Sequence, residues 1–185
     1  NRNIRRKQPS DVIMAFKEFC DKIGKDKASK AVLLMHTTPS DQNGTDLPKV
    51  AETLAPDCNV VFSTAKLSTD QLNYLYNMAD CTVNIAGNEG FGLTTAESVM
   101  SGTPIIVNVT GGLQDQCGFK KKSDGKYFTA DDYIKIGSLH KWRDWEDKVT
   151  WGEWATPIWS RAQSLTGSVP TPYIWDDKID VTELS

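Results

Sequence analysis

Between residues 9 and 113 the sequence switches repeatedly between helical and strand-like spacing, and this alternation limits the possible folds more than any other feature. Residues 9–23 carry Val12, Ile13, Phe16, Phe19, Cys20 and Ile23 at helical intervals, opened by Pro9 and Ser10. Residues 31–35 (AVLLM) form a short apolar run of the kind expected for a parallel strand covered on both faces. A second helix is predicted over 46–54 and a second strand over 59–62. Ser68 and Gln71 have capping-box spacing, because the Ser68 hydroxyl can accept from a backbone N–H while Gln71 reciprocates. The helix that follows is expected to bury Leu72, Leu75, Tyr76 and Met78. Residues 81–85 read as a strand, 93–100 as a helix stopped by Gly102, and 103–107 as another strand. Strands separated by helices of this length imply βαβ units and a parallel sheet, an α/β fold.

After Gly112 the alternation stops. Residues 118–170 hold five of the six tryptophans: Trp142, Trp145, Trp151, Trp154 and Trp159. Short β-like pieces such as 133–136 (YIKI) are separated by Gly and Pro. The expected organisation is an α/β core over 1–117, a Trp-rich insertion over 118–171, and a return to the core over 172–185. One reading of the tryptophans is a small satellite core.

Composition closes off several function classes. A chain of 185 residues suits one sizeable domain. A net charge of −3 argues against a nucleic-acid binder held mainly by counterion release. No apolar run approaches the roughly 18 residues of a membrane span, and NRNIRRKQ does not open a signal peptide. Cys20, Cys58, Cys81 and Cys117 are scattered, with neither a CxxC knuckle nor the density of a disulfide scaffold. Buried free thiols in a reducing, cytoplasmic compartment are expected, and the sequons at Asn43 and Asn108 are then chance matches.

The segment that carries chemistry runs from Asn84 to Glu97, NIAGNEGFGLTTAE. It reads as strand, glycine-bearing loop, helix. Gly90 and Gly92 let a backbone approach a bulky anion, and the helix starting at Leu93 presents unpaired N–H groups with the positive end of its dipole. Glu89 in the loop and Glu97 one turn into the helix supply carboxylates that accept from paired sugar hydroxyls. GFGLTT is not GxGxxG, since Thr95 holds the third glycine position, and no GxxxxGK[ST], HExxH, GxSxG or DxD occurs. A tight turn before a buried helix is the plainer alternative for the two glycines.

The run EGFGLTTAE, followed by SVMSGTPIIVNVTGG, resembles the donor-site motif of retaining GT-B glycosyltransferases of family 4 (group 1). NRNIRRKQPSDVIMAF is similar to that family's opening segment, and VVFSTAKLSTDQLNYLYNMADCTV to its strand–loop–helix–AD unit. The resemblance spans about residues 1–115 and implies a Rossmann-like doubly wound parallel sheet that binds a UDP-, GDP- or ADP-sugar. It implies that Arg2 and Lys7 stabilise the leaving diphosphate. Glu89 would face the transferred sugar, and Gly90, Phe91, Gly92, Leu93 and Thr94 would hold sugar and phosphate. Glu97 would bind the ribose. Lys66, in a loop after a strand, is a base- or phosphate-side candidate on other grounds, since ligand crevices lie at the C-terminal ends of parallel strands. No metal and no cofactor is implied, the missing DxD fitting side-chain and helix-dipole neutralisation. A solvated basic terminus is the alternative for Arg2, Arg5, Arg6 and Lys7. His36, at a strand end, could line the base pocket, the plainer alternative being a packed residue.

Members of that family pair this domain with an N-terminal acceptor domain, which the sequence does not contain. By that comparison the chain starts where the first strand should be ending and stops where a helix should be starting. The gap is expected to be filled by an upstream segment, a tag or another copy in a homo-oligomer, and the isolated chain is expected to be inactive. The acceptor is unassigned, and the Trp-rich stretch offers an aromatic surface for an acceptor sugar or a partner. The competing functions are a non-catalytic nucleotide-sugar-binding module and half of a nucleotide-sugar epimerase.

Overall fold

The helical spacing over Pro9–Ile23 is realised as α1 in the computed structural model, which describes residues 1–136 and 144–185. Trp142 lies outside the described residues. Gln8, at φ 51°, turns the chain from a 3-10 turn over Arg5–Lys7 into α1. Pro9 occupies the first turn, where its missing N–H leaves no bond unmade. The described residues divide into two compact units, 1–67 with 180–185, and 68–179.

In the first unit α1 is followed by α2 (Lys25–Ala28), β1 (Leu33–His36), α3 (Leu47–Leu54) and β2 (Val60–Ser63), with α8 (Val181–Leu184) at the end of the chain. Asp46 starts α3 by accepting from the Lys49 N–H at 3.1 Å. Strands β1 and β2 pair in parallel from Leu33↔Val60 to His36↔Ser63. Leu33, Met35, Val60 and Phe62 share one face and pack with Ile13, Leu47 and Ala55. The other face carries Val61, which is exposed. The expectation that 31–35 is covered on both faces is therefore corrected: the strand begins at Leu33, Val32 is exposed, and the period of two sends the apolar cluster to one side only. Asn3 is buried, donating to Pro39 O (3.2 Å) and Thr45 O (2.7 Å) and accepting from Thr45 N (3.3 Å). α8 is tied to α1 through Lys22 Nζ to Thr182 O (3.0 Å) and Ser185 Oγ to Glu18 (3.2 Å).

The second unit contains α4 (Thr69–Met78), β3 (Thr82–Asn84), α5 (Leu93–Met100), β4 (Ile105–Asn108), α6 (Gly111–Gln116), β5 (Lys120–Lys121), α7 (Ala130–Ile136), β6 (Val149–Thr150), β7 (Ala155–Ile158), β8 (Ala162–Ser168) and β9 (Thr171–Lys178). The capping box forms as read: Gln71 N donates to Ser68 Oγ (3.3 Å) and Ser68 N to Gln71 Oε1 (2.9 Å). The predicted buried stripe is corrected: Leu72, Leu75 and Tyr76 are only half-buried and Met78 is exposed.

Strands β3, β4 and β7 form a parallel sheet in that order. The architecture is mixed α/β with parallel sheets, as the alternation predicts. β7 lies within the Trp-rich stretch and has no clear sequence signal. It holds Pro157, which a strand tolerates at an edge, and among the described residues β7 pairs only with β4. Residues 133–136 are not β-like; they belong to α7. Their β-branched residues suggest a strand, but Asp132 accepts from the N–H (2.9 Å) and hydroxyl (2.8 Å) of Thr129 and so nucleates a helix.

Trp159 is buried with Ile105, Val107, Leu113, Cys117 and Phe119, and Trp145 packs against the same cluster. The rings of Phe119 and Trp159 lie 5.5 Å apart, and Trp145 meets Phe128 edge-on at 5.4 Å. These two tryptophans complete the core of the sheet, whereas Trp151, Trp154 and Trp175 are exposed. β8 and β9 form an antiparallel hairpin from Ala162↔Lys178 to Ser168↔Thr171. Among the described residues no helix is long and apolar enough to cross a membrane.

Candidate functional site

β3 ends at Asn84, and the chain passes through residues 85–92 into α5. Gly92 caps this helix at φ 85°, a left-handed conformation in which a Cβ is costly. A Cβ there would also lie 2.6 Å from Leu113 Cδ2 and 2.8 Å from Thr95 Oγ1. Its carbonyl accepts from Thr95 N and Ala96 N at 3.1 Å and from Thr95 Oγ1 at 2.8 Å. A glycine cap brings no side chain, so the cap residue makes no side-chain hydrogen bond to the first turn of α5. At Gly90 a Cβ would meet nothing within 4 Å. The protein itself does not require glycine there; the space beside it is open.

The apolar residues of α5 are Leu93, Ala96, Val99 and Met100. Of these, Leu93 and Met100 are exposed, and the buried face is Thr95 and Ser98. Both hydroxyls find local acceptors: Ser98 Oγ bonds Thr82 Oγ1 (2.8 Å) and donates to Thr103 O (3.0 Å). Small hydroxyl side chains let the helix seat against β3 without an unpaired polar group.

A floor lies beneath the loop that the sequence reading did not single out. A Cβ on Gly111 would stand 2.1 Å from Glu89 O, and one on Gly112 would stand 2.4 Å from Gly90 O. Gly112 N donates to Glu89 O (2.9 Å), and Gln116 Nε2 donates to the carbonyls of Phe91 and Gly92, the latter at 3.1 Å. The signal was present as the GG of VTGG, but glycine pairs are common and only the close approach of two loops gives this one a role. Asn84 Nδ2 and Gln116 Oε1 are buried beneath the same loop without a hydrogen-bond partner.

The side of the loop nearest β9 is fixed as firmly. Asn108, fully buried, donates to Ala86 O (3.0 Å) and Asp177 O (3.3 Å) and accepts from Ser160 Oγ (2.6 Å). Its amide is thus fully occupied within the fold. Asp177 N donates to Gly87 O (2.8 Å), and its carboxylate accepts from Thr110 Oγ1 (2.6 Å) and Gln163 Nε2 (2.8 Å). Burial raises the pKa of this carboxyl, and the bonds from Thr110 and Gln163 oppose that rise.

Glu89 is half-buried and Glu97 is exposed. Glu97 Oε2 accepts from Tyr76 Oη at 2.8 Å. Burial raises the Tyr76 hydroxyl above its ordinary value, and the bond to Glu97 adds to this, so the phenol keeps its proton and donates. Phe91 and Leu93 stand exposed at 59% and 68%, an unusual display of apolar surface at a helix entrance. Thr94 is half-buried.

Of the predicted site residues, Glu89, Gly90, Phe91, Gly92, Leu93, Thr94 and Glu97 thus share one strand–loop–helix segment of the second unit. Arg2, Lys7 and Lys66 belong to the first unit. There Arg2 pairs with Asp41 at 3.5 Å, Lys7 ends the 3-10 turn before α1, and Lys66 is exposed after β2. His36 Nδ1 lies 3.0 Å from Ser63 Oγ, consistent with a packed strand-end residue. Among the described residues no three or more His, Cys, Asp or Glu side chains gather into a metal-binding group.

A family model described as glycosyl transferases group 1 matches residues 1–125. No curated protein matches the chain. Among solved structures, an alpha,alpha-trehalose-phosphate synthase (UDP-forming) from Burkholderia xenovorans, in complex with glucose-6-phosphate, matches at 10% identity with a TM-score of 0.47. The match covers 63% of this chain and 30% of that one, so this chain spans less than a third of that structure's length.

Proposed function

The chain belongs to the group 1 glycosyltransferases, and from that premise we propose that it is the donor-binding part of a retaining GT-B enzyme of family 4, which moves a sugar from a nucleotide-sugar to an acceptor. The observation that carries this reading is the entrance to α5. A helix N-terminus with no side-chain cap adjoins a glycine with open space beside it, and a carboxylate stands at either flank. Backbone N–H groups and the helix dipole suit a diphosphate, whose charge grows as the glycosidic bond breaks. In this reading Glu89 faces the transferred sugar, Gly90 to Thr94 line the sugar and diphosphate, and Glu97 accepts from the ribose hydroxyls. The leaving phosphate assists a front-face displacement that keeps the anomeric configuration. We keep the proposed site to the second unit, Arg2, Lys7 and Lys66 belonging to the first. Four free cysteines support a reducing compartment.

Calorimetric titration with UDP, GDP and ADP, and with their glucose conjugates, tests the proposal. One nucleotide should bind measurably, and Glu97→Ala should weaken it by about 1.5–3 kcal/mol, a charged hydrogen bond being lost. Glu89→Ala should leave the free nucleotide unaffected and weaken the nucleotide-sugar. A wild-type chain that binds none of the three, or equal affinities for wild type and Glu97→Ala, would overturn it.

A further inference from the structure

Glu97 is an exposed carboxylate on a flexible stem, and a hydroxyl from the neighbouring helix reaches it. Its backbone is fixed on α5, where Glu97 O accepts from Ser101 N (3.0 Å) and Ser101 Oγ (2.9 Å). Its neighbour Ser98 is locked to Thr82 and Thr103. Its side chain is held from the adjacent helix by the Tyr76 hydroxyl at 2.8 Å. Tyr76 is itself placed: it is half-buried on α4, and its carbonyl accepts from Thr103 Oγ1 at 2.8 Å. Thr103 also gives its carbonyl to Ser98, so one residue anchors both the helix that offers the hydroxyl and the helix that offers the carboxylate.

A bond from a half-buried phenol to an exposed carboxylate adds only modestly to stability, because water competes for the carboxylate. What it does supply is orientation. It occupies Oε2 and leaves Oε1 for a second donor, and it removes rotamer freedom that a free Glu would lose on binding a ligand. Resting on the donor-site reading above, we infer that Tyr76 is a positioning residue for nucleotide recognition: its hydroxyl presets Glu97 for the ribose hydroxyls. The pairing joins residues 21 apart in the chain through two helices, and Tyr76 need not touch the nucleotide.

The test compares ribonucleotides with their 2′,3′-dideoxy counterparts on the full chain. Affinities of the tightest-binding of UDP, GDP and ADP, and of its dideoxy form, are measured for wild type, Tyr76→Phe, Glu97→Ala and the double variant. Tyr76→Phe keeps the ring and should weaken the ribonucleotide about two- to tenfold, as one lost hydrogen bond does, while changing the dideoxy nucleotide less than twofold. In the Glu97→Ala background it should add no further loss, because the two residues act as a unit. In the wild-type chain, which needs no variant to fold, the Tyr76 ring resonances should shift with the ribonucleotide and not with the dideoxy form. Equal losses for both nucleotides, additive losses in the double variant, or unshifted Tyr76 resonances overturn the role of Tyr76 while a ribose-selective loss in Glu97→Ala leaves the donor site standing. A Glu97→Ala chain that binds the ribonucleotide like wild type overturns both.

Discussion

A methyl group on Gly111 would land 2.1 Å from Glu89 O, and one on Gly112 would land 2.4 Å from Gly90 O. Neither distance can persist, so Gly111→Ala and Gly112→Ala should each destabilise the second unit by about 1–3 kcal/mol in urea unfolding, the usual range for overpacking. Gly92→Ala adds a left-handed backbone penalty of about 1–2 kcal/mol to its clash with Leu113. Gly90→Ala is the contrast. Nothing lies within 4 Å of its Cβ, so it should unfold within about 0.5 kcal/mol of wild type and still lose nucleotide affinity. Equal urea midpoints for Gly111→Ala and Gly90→Ala would show that the loop does not rest on that glycine. At this scale Glu89, Gly90, Gly92 and Glu97 were legible in the sequence because a glycine turn and a helix start depend on neighbours in the chain. Gly111 and Gly112 were not, since their close approach to the loop depends on how two loops stack.

Among the elements, α4 and α7 were read with different success for one reason. The capping box of α4 is a local device, and Ser68→Ala should cost about 1 kcal/mol in the same unfolding assay. α7 is written in strand-prone residues and folds as a helix because Asp132 caps it. The N–H of Thr129, then its hydroxyl and then the Lys121 ammonium hold the Asp132 carboxyl down to about 2. Its folded value lies below the unfolded one near 3.9, so its stabilising effect is present above about pH 4 and is lost as pH falls toward 2. Acid unfolding followed by circular dichroism should therefore steepen over that window in wild type and flatten in Asp132→Asn. Parallel curves for the two chains between pH 5 and 2 would count against a cap at this position. The exposed Leu93 and Met100 of α5 make the same point in reverse, for its buried face is chosen by the fit of Thr95 and Ser98 against β3 and not by apolar periodicity.

Over the whole molecule, each unit has its own apolar cluster, and the described tryptophans divide by whether they reach one. Trp159→Ala should destabilise the second unit by about 3–5 kcal/mol, as large core truncations do, whereas Trp175→Ala, at 51% exposure, should cost under about 1 kcal/mol. Urea unfolding followed by far-ultraviolet circular dichroism separates the two. The sequence by itself determined the α/β class, the strand–glycine loop–helix segment and its two flanking glutamates, because period, caps and turns are set by residues within a few positions of one another. Only the tertiary structure decided that β7 joins β4, that Asn108 ties Ala86 to Asp177, that Gly111 and Gly112 underlie the loop and that Tyr76 holds Glu97. Those pairings join residues about 20 to 70 positions apart, and a partner at that distance leaves no periodic mark in the chain; it is selected by which packed surfaces leave most buried donors and acceptors satisfied.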